Sequence, residues 1–105
     1  MSKVYGYCRV ALANEEEKIQ KLKVIYDYCT ENNLHVDKYF FDNGASGLEL
    51  NRKDLNALID VLRGGDIVVT DGVASLSRSM FDCMTLINLI NNIGAELIII
   101  NNTTK

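Results

Sequence analysis

A chain of 105 residues fits one domain, long enough to bury a core but with a thin margin of stability. A hydrophobic share of 48% and a charged share of 24% are those of an ordinary globular domain, which excludes a disordered or fibrous chain. The net charge of −3 excludes a bulk basic field able to hold DNA or an anionic membrane, so any meeting with nucleic acid must use local arginines or a segment outside this chain.

In chain order, residues 3–10 read as a strand of Val, Tyr and Cys. Residues 14–33 read as a helix: Asn14 is a good N-cap, and Glu15, Glu16 and Glu17 suit the positive end of the helix dipole. Ile19, Leu22, Tyr26 and Cys29 recur at helical spacing as one apolar stripe, and Asn32-Asn33 ends the helix. "LHVDKYFFD" (34–42) reads as a second strand and "NGASGLELN" (43–51) as a glycine-containing loop. Residues 52–65 read as a short helix with Leu55, Leu58, Ile59 and Leu62 on one face, stopped by Gly64-Gly65. "DIVVT" (66–70) has the short, continuously apolar look of a buried parallel strand. "DGVASLSR" (71–78) reads as a loop, residues 79–94 as a helix from Ser79 to Gly94, and "AELIIIN" (95–101) as a fourth strand.

Strand and helix alternate throughout, with no internal repeat and no domain boundary. The expected fold class is therefore α/β: an open, mainly parallel, twisted sheet of at least four strands with helices on both faces. Ligands of such sheets sit beyond the carboxyl ends of the strands. The chain has four arginines, Arg9, Arg52, Arg63 and Arg78. Three of them, Arg9, Arg52 and Arg78, lie on strand-to-helix connections, which share one edge of a parallel sheet. Three guanidiniums gathered there would repel one another unless an anion sat between them, and the planar fork of arginine suits phosphate. Three unrelated surface arginines, each with its own carboxylate, is the competing reading.

The stretches "YGYCRVA", "FDNGASGLELNRKDL" and "GDIVVTDGVASLSRSMFD", in this order and spacing, resemble the catalytic domain of the serine recombinases, the resolvase and invertase family. The resemblance runs from about Lys3 to Ile100 and implies a twisted, largely parallel sheet flanked by helices. It implies site-specific DNA recombination without metal or nucleotide cofactor: a serine attacks a phosphodiester, a 5′-phosphoserine link forms, and strands are exchanged within a tetramer. Arg9, Arg52 and Arg78 match family arginines that bind the scissile phosphate. Asp42 matches the acidic residue opening the Ser-Gly loop, and Tyr7 and Gln20 match two further positions near the site.

The chain departs from the family where the chemistry lies. Two places after the first arginine, where the family has its nucleophilic serine, stands Ala11. One phosphate-binding arginine is replaced by Ser75, the preceding position is Ala74, and a glutamine common at the start of the first helix appears as Glu15. A methyl group cannot attack phosphorus. The expected function is a recombinase catalytic domain with impaired chemistry. The alternatives are a non-enzymatic oligomerisation or regulatory module and an engineered inactive variant. The expected partners are DNA, met mainly through segments absent from this chain, and further copies in a dimer or tetramer. The chain reads as a single domain ending before the family's dimerisation helix and DNA-binding domain.

Other groups carry less. Ser46, Ser75 and Ser77 could be considered as relocated nucleophiles but read more simply as turn or capping serines. Cys8 precedes Arg9 by one residue, so strand alternation turns it to the opposite face. Cys8, Cys29 and Cys83 lack CxxC spacing and read as buried small hydrophobes of a reducing compartment. His35 has no partner at ligand spacing, and Asp42, Asp66 and Asp71 lack the adjacent acid pair of a magnesium-binding receiver domain. "KIQKLK" reads as a solvated helix face, with contact to a DNA backbone as the functional option. No apolar run approaches the ~20 residues of a membrane span, and "MSKVYGYC" does not resemble a signal peptide, so no membrane partner and a cytoplasmic location are expected.

Overall fold

The computed structural model describes residues 2–11, 15–44, 53–76 and 80–100. Along them run β1 (Val4–Ala11), α1 (Glu15–Glu31), β2 (Lys38–Gly44), α2 (Lys53–Val61), β3 (Ile67–Thr70), α3 (Val73–Leu76), α4 (Met80–Ile93) and β4 (Glu96–Ile99). The strands form one sheet in the order β2-β1-β3-β4, and all three pairings are parallel. The expected open α/β fold is what these residues form.

The topology follows from chain connectivity. Parallel neighbours need a crossover, and crossovers in such sheets are right-handed. From β1 the chain steps one way to β2 through α1, then back past β1 to β3 through α2, and onward to β4 through α4. Opposite steps put α1 on one face and α2 with α4 on the other. The core is divided accordingly. Tyr5, Tyr7, Phe40 and Val68 pack with Leu55, Leu58 and Leu62 and with Cys83 and Ile90 on one face. Val4, Cys8, Val10 and Val69 pack with Ile25 and Cys29 on the other. The strict alternation along β1 places Cys8 opposite Tyr7, as the pleat requires.

Four local expectations are corrected. The α1 stripe is Leu22, Ile25 and Cys29, whereas Ile19 and Tyr26 are both 60% exposed. The cause is Gly6 on β1: a Cβ there would lie 3.2 Å from Ile25 Cγ2 and 2.7 Å from Tyr39 Cδ1, so the missing side chain is what lets Ile25 drop onto the sheet. Residues 34–37 are not strand. Leu34 and Val36 pack beneath α1, and Asp37 grips the start of β1, accepting the Val4 N–H (2.8 Å) and donating its own N–H to the Val4 carbonyl (2.7 Å). His35 is therefore in an irregular, exposed segment and does not begin a strand. Finally, residues 73–76 form a helical turn where a loop was expected.

The C-terminal ends of α1 and α4 behave as read, and the starts read at Asn14 and Ser79 lie outside the described residues. Asn33 (φ 61°) and Gly94 (φ 96°) take left-handed conformations just past α1 and α4. The next N–H in each case returns to the helix, Leu34 to Cys29 (2.7 Å) and Ala95 to Ile90 (3.2 Å), satisfying carbonyls that a helix end leaves open.

Candidate functional site

The strand order reverses direction at β1. The chain leaves β1 toward β2 and leaves β3 toward β4, so the connections diverge above the β1–β3 pair. This is the switch point at which open α/β sheets receive ligands. β1 has eight residues and β3 four. Their pairing ends at Tyr7–Thr70, and the end of β1 runs on, paired only with β2 through Arg9–Asp42 and Ala11–Gly44. Arg9 and Ala11 thus lie on an overhanging strand end at the carboxyl edge of the sheet.

On the β2 flank, Asp42 is buried and its carboxylate is surrounded by donors. It accepts the Tyr7 hydroxyl (2.8 Å) and the N–H groups of Asp54 (2.8 Å) and Leu55 (3.0 Å) in the first turn of α2. A carboxylate at a helix N-terminus satisfies open N–H groups and complements the helix dipole. Asp54 in return accepts the Phe41 N–H (3.1 Å). Asp42 and Tyr7, two of the candidate site residues, are therefore brought together as a knot joining β1, β2 and α2. That knot fixes the start of α2, directly before which Arg52 stands in sequence.

On the β3 flank the strand partner is gone, and side chains take its place. The Ser75 hydroxyl, fully buried, accepts the Arg9 N–H (3.1 Å) and donates to the Asp71 carboxylate (2.5 Å). Lys21, on α1, donates to the Arg9 carbonyl (2.6 Å) and faces Asp71 at 3.9 Å and Glu17 at 3.5 Å. Both main-chain polar groups of Arg9 are thereby occupied by side chains. The spacing of "KIQKLK" predicts a solvated face, but the Lys21 ammonium turns inward. Gln20, its neighbour, is exposed on α1.

The thiol of Cys8 lies buried on the α1 face, and burial, reinforced by the Asp71 charge, pushes its pKa up to about 12. A thiol held protonated is no substitute nucleophile. Ser75 is likewise committed to two hydrogen bonds. Asp66 lies at the opposite end of β3, where it accepts the N–H groups of Lys3 (3.0 Å) and Arg63 (2.9 Å), so it cannot join Asp42 and Asp71. Among the described residues no cluster of three or more His, Cys, Asp or Glu could hold a metal ion. Thr70 Oγ1, at the end of β3, is buried and makes no hydrogen bond among the described residues. Arg52, Arg78, Ser46 and Ser77 lie outside the described residues.

A parallel sheet of order 2-1-3-4 makes the molecule an open α/β protein with its ligand edge above β1 and β3. The family model for the resolvase N-terminal domain matches residues 4–105, and the chain belongs to that family, the catalytic domains of the serine recombinases. It is 30% identical over 99 residues to a resolvase of Clostridium perfringens, covering 93% of this chain and 49% of that protein. It is 32% identical over 91 residues to the transposon Tn552 DNA-invertase BinR of Staphylococcus aureus, covering 87% and 43%. The chain thus spans about half the length of the curated relatives it matches. Among solved structures, the C-terminal catalytic domain of ISC1926 TnpA, an IS607-like serine recombinase, shares the fold with a TM-score of 0.80 at 20% identity, covering 98% of this chain and 71% of that one. A serine recombinase from Sulfolobus solfataricus gives 0.74 at 26% identity, covering 100% and 72%.

Proposed function

We propose that this chain is the catalytic domain of a site-specific DNA recombinase whose strand-cleaving step is lost or severely weakened at position 11. The observation that carries the reading is the overhang of β1, with Arg9 and Ala11 two residues apart at the switch point of the sheet. A serine at position 11 would bring a hydroxyl oxygen to phosphorus. The new P–O bond would form as the bond to the 3′ oxygen breaks, leaving a 5′-phosphoserine ester and a free 3′ hydroxyl. Arg9, with Arg52 and Arg78, would hold the phosphate and offset its growing charge. Alanine offers no lone pair, so the first step has no nucleophile.

DNA is the proposed substrate, engaged mainly by segments outside this chain, since the chain's net charge is −3. Dimers or tetramers and a cytoplasmic location complete the proposal; among the described residues no helix is long and apolar enough to cross a membrane. A second reading, a regulatory module that pairs with an active recombinase, draws support from Phe81 (78% exposed) and Met84 (56% exposed) on α4.

The test is a cleavage and binding assay on DNA carrying the recombination site. The native chain is expected to leave that DNA uncut and to bind it more weakly than micromolar. Strand cleavage, or a salt-dependent sub-micromolar affinity, would overturn the reading. Inhibition of an active relative's strand exchange by the added chain would favour the second reading.

A further inference from the structure

At the switch point side chains from neighbouring elements hold the end of β1. β3 ends at Thr70, opposite Tyr7 and four residues short of the end of β1, so β3 offers Arg9 no ladder partner on that side. Ser75 takes the N–H, Lys21 takes the carbonyl, and Asp71 links the two by accepting the Ser75 hydroxyl and facing the Lys21 ammonium. Three elements meet there: α1 from one face of the sheet, the turn after β3, and α3.

We propose that Ser75, Asp71 and Lys21 form a clasp that replaces the missing β3 partner and that Ser75 and Asp71 are positioning residues, holding the Arg9 segment of β1 at the switch point. The clasp has a definite chemical logic. A serine hydroxyl can accept from a main-chain N–H and donate to a carboxylate at the same time; an arginine at that position has donors only, so it could donate to the carboxylate but could not accept the Arg9 N–H. The serine at position 75 is therefore part of what keeps the strand end in register. The carboxylate of Asp71 orients the hydroxyl so that its lone pairs face Arg9, and the Lys21 ammonium balances the partly buried charge. The functional meaning of holding Arg9 rests on the recombinase reading, whereas the clasp itself does not.

Amide hydrogen exchange on the full chain, followed residue by residue by NMR, tests it without DNA and without any reaction. Ser75→Ala and Asp71→Ala are each expected to speed exchange at the Arg9 amide about fivefold or more, the size expected from one net hydrogen bond. Val68 on β3 and Leu97 on β4 are expected to keep native protection. Ser75→Thr, which keeps the hydroxyl, is expected to restore slow exchange at Arg9. Unchanged Arg9 protection in both alanine variants, failure of the threonine variant to restore it, or equal loss of protection at Val68 and Leu97 would each overturn the proposal. Because the readout is the strand amide itself, its failure is distinct from failure of the cleavage assay.

Discussion

The two flanks of β1's end solve the same physical problem in different ways. Toward β2 the ladder continues to Ala11–Gly44, and the buried Asp42 ties strand to helix through one hydroxyl and two main-chain N–H groups. Toward β3 the ladder stops at Tyr7–Thr70, and a serine, an aspartate and a lysine from separate elements complete it. The first flank holds Tyr7 and Asp42, two of the residues that the resemblance singles out. The second holds Ser75, where the resemblance leads one to expect an arginine. The comparison teaches that one strand end can be held by a ladder on one side and by side chains on the other: Ser75 bonds main chain and carboxylate where the resemblance leads one to expect a phosphate-binding arginine.

The comparison can be broken from either side. The largest effect is expected at Asp42. Asp42→Ala strands the Tyr7 hydroxyl and two helix N–H groups, and should lower the unfolding free energy by about 3 kcal/mol or more in urea denaturation. A loss below about 1 kcal/mol would show that the β2 flank is not the anchor described. Ser75→Arg, the change toward the family residue, should cost about 2 kcal/mol, since a long cation must enter a fully buried site and the Arg9 N–H loses its acceptor. Undiminished stability would mean that the β3 flank tolerates an arginine at this position.

Thr70→Val should raise stability by about 1 kcal/mol, because an isosteric methyl replaces a buried hydroxyl without a hydrogen bond among the described residues. A loss of that size would reveal a partner for the hydroxyl. At neutral pH the smallest effect belongs to Cys8. Its thiol pKa is raised from 9.0 to about 12 in the fold, so the unfolded chain gives up the proton first as pH rises. The resulting contribution is complete below about pH 9 and is lost between about pH 9 and 12. Stability in Cys8→Ala should fall less steeply than in the native chain across that window, and identical slopes would exclude the thiol as the cause.

The fold class was legible because hydrophobic patterning and alternation are local properties of the chain. Leu55 and Leu58 declared their face of α2, and Asn33 and Gly94 declared the helix ends. Ile25 was hidden because its burial depends on Gly6, nineteen positions earlier and on another element. The same limit governed the site. Arg9, Tyr7 and Asp42 could be named from motifs, and Cys8 could be dismissed from alternation. The inward turn of Lys21 could not be read, since it depends on β3 stopping short of β1. Nor could the α2 cap formed by Asp42, because carboxylate and helix start are separated by a loop.

The central claim is that the reacting position of this domain is residue 11 and that nothing else in the chain takes its place. Mass-spectrometric mapping of any covalent protein–DNA link tests it most directly, with the native chain and Ala11→Ser each incubated with recombination-site DNA. The account predicts no link in the native chain, and in Ala11→Ser a link confined to residue 11, formed without normal strand exchange because Ser75 leaves one phosphate-binding arginine absent. A phosphoserine link in the native chain, at Ser46, Ser75, Ser77 or any other serine, would contradict it, as would full strand exchange by the single variant.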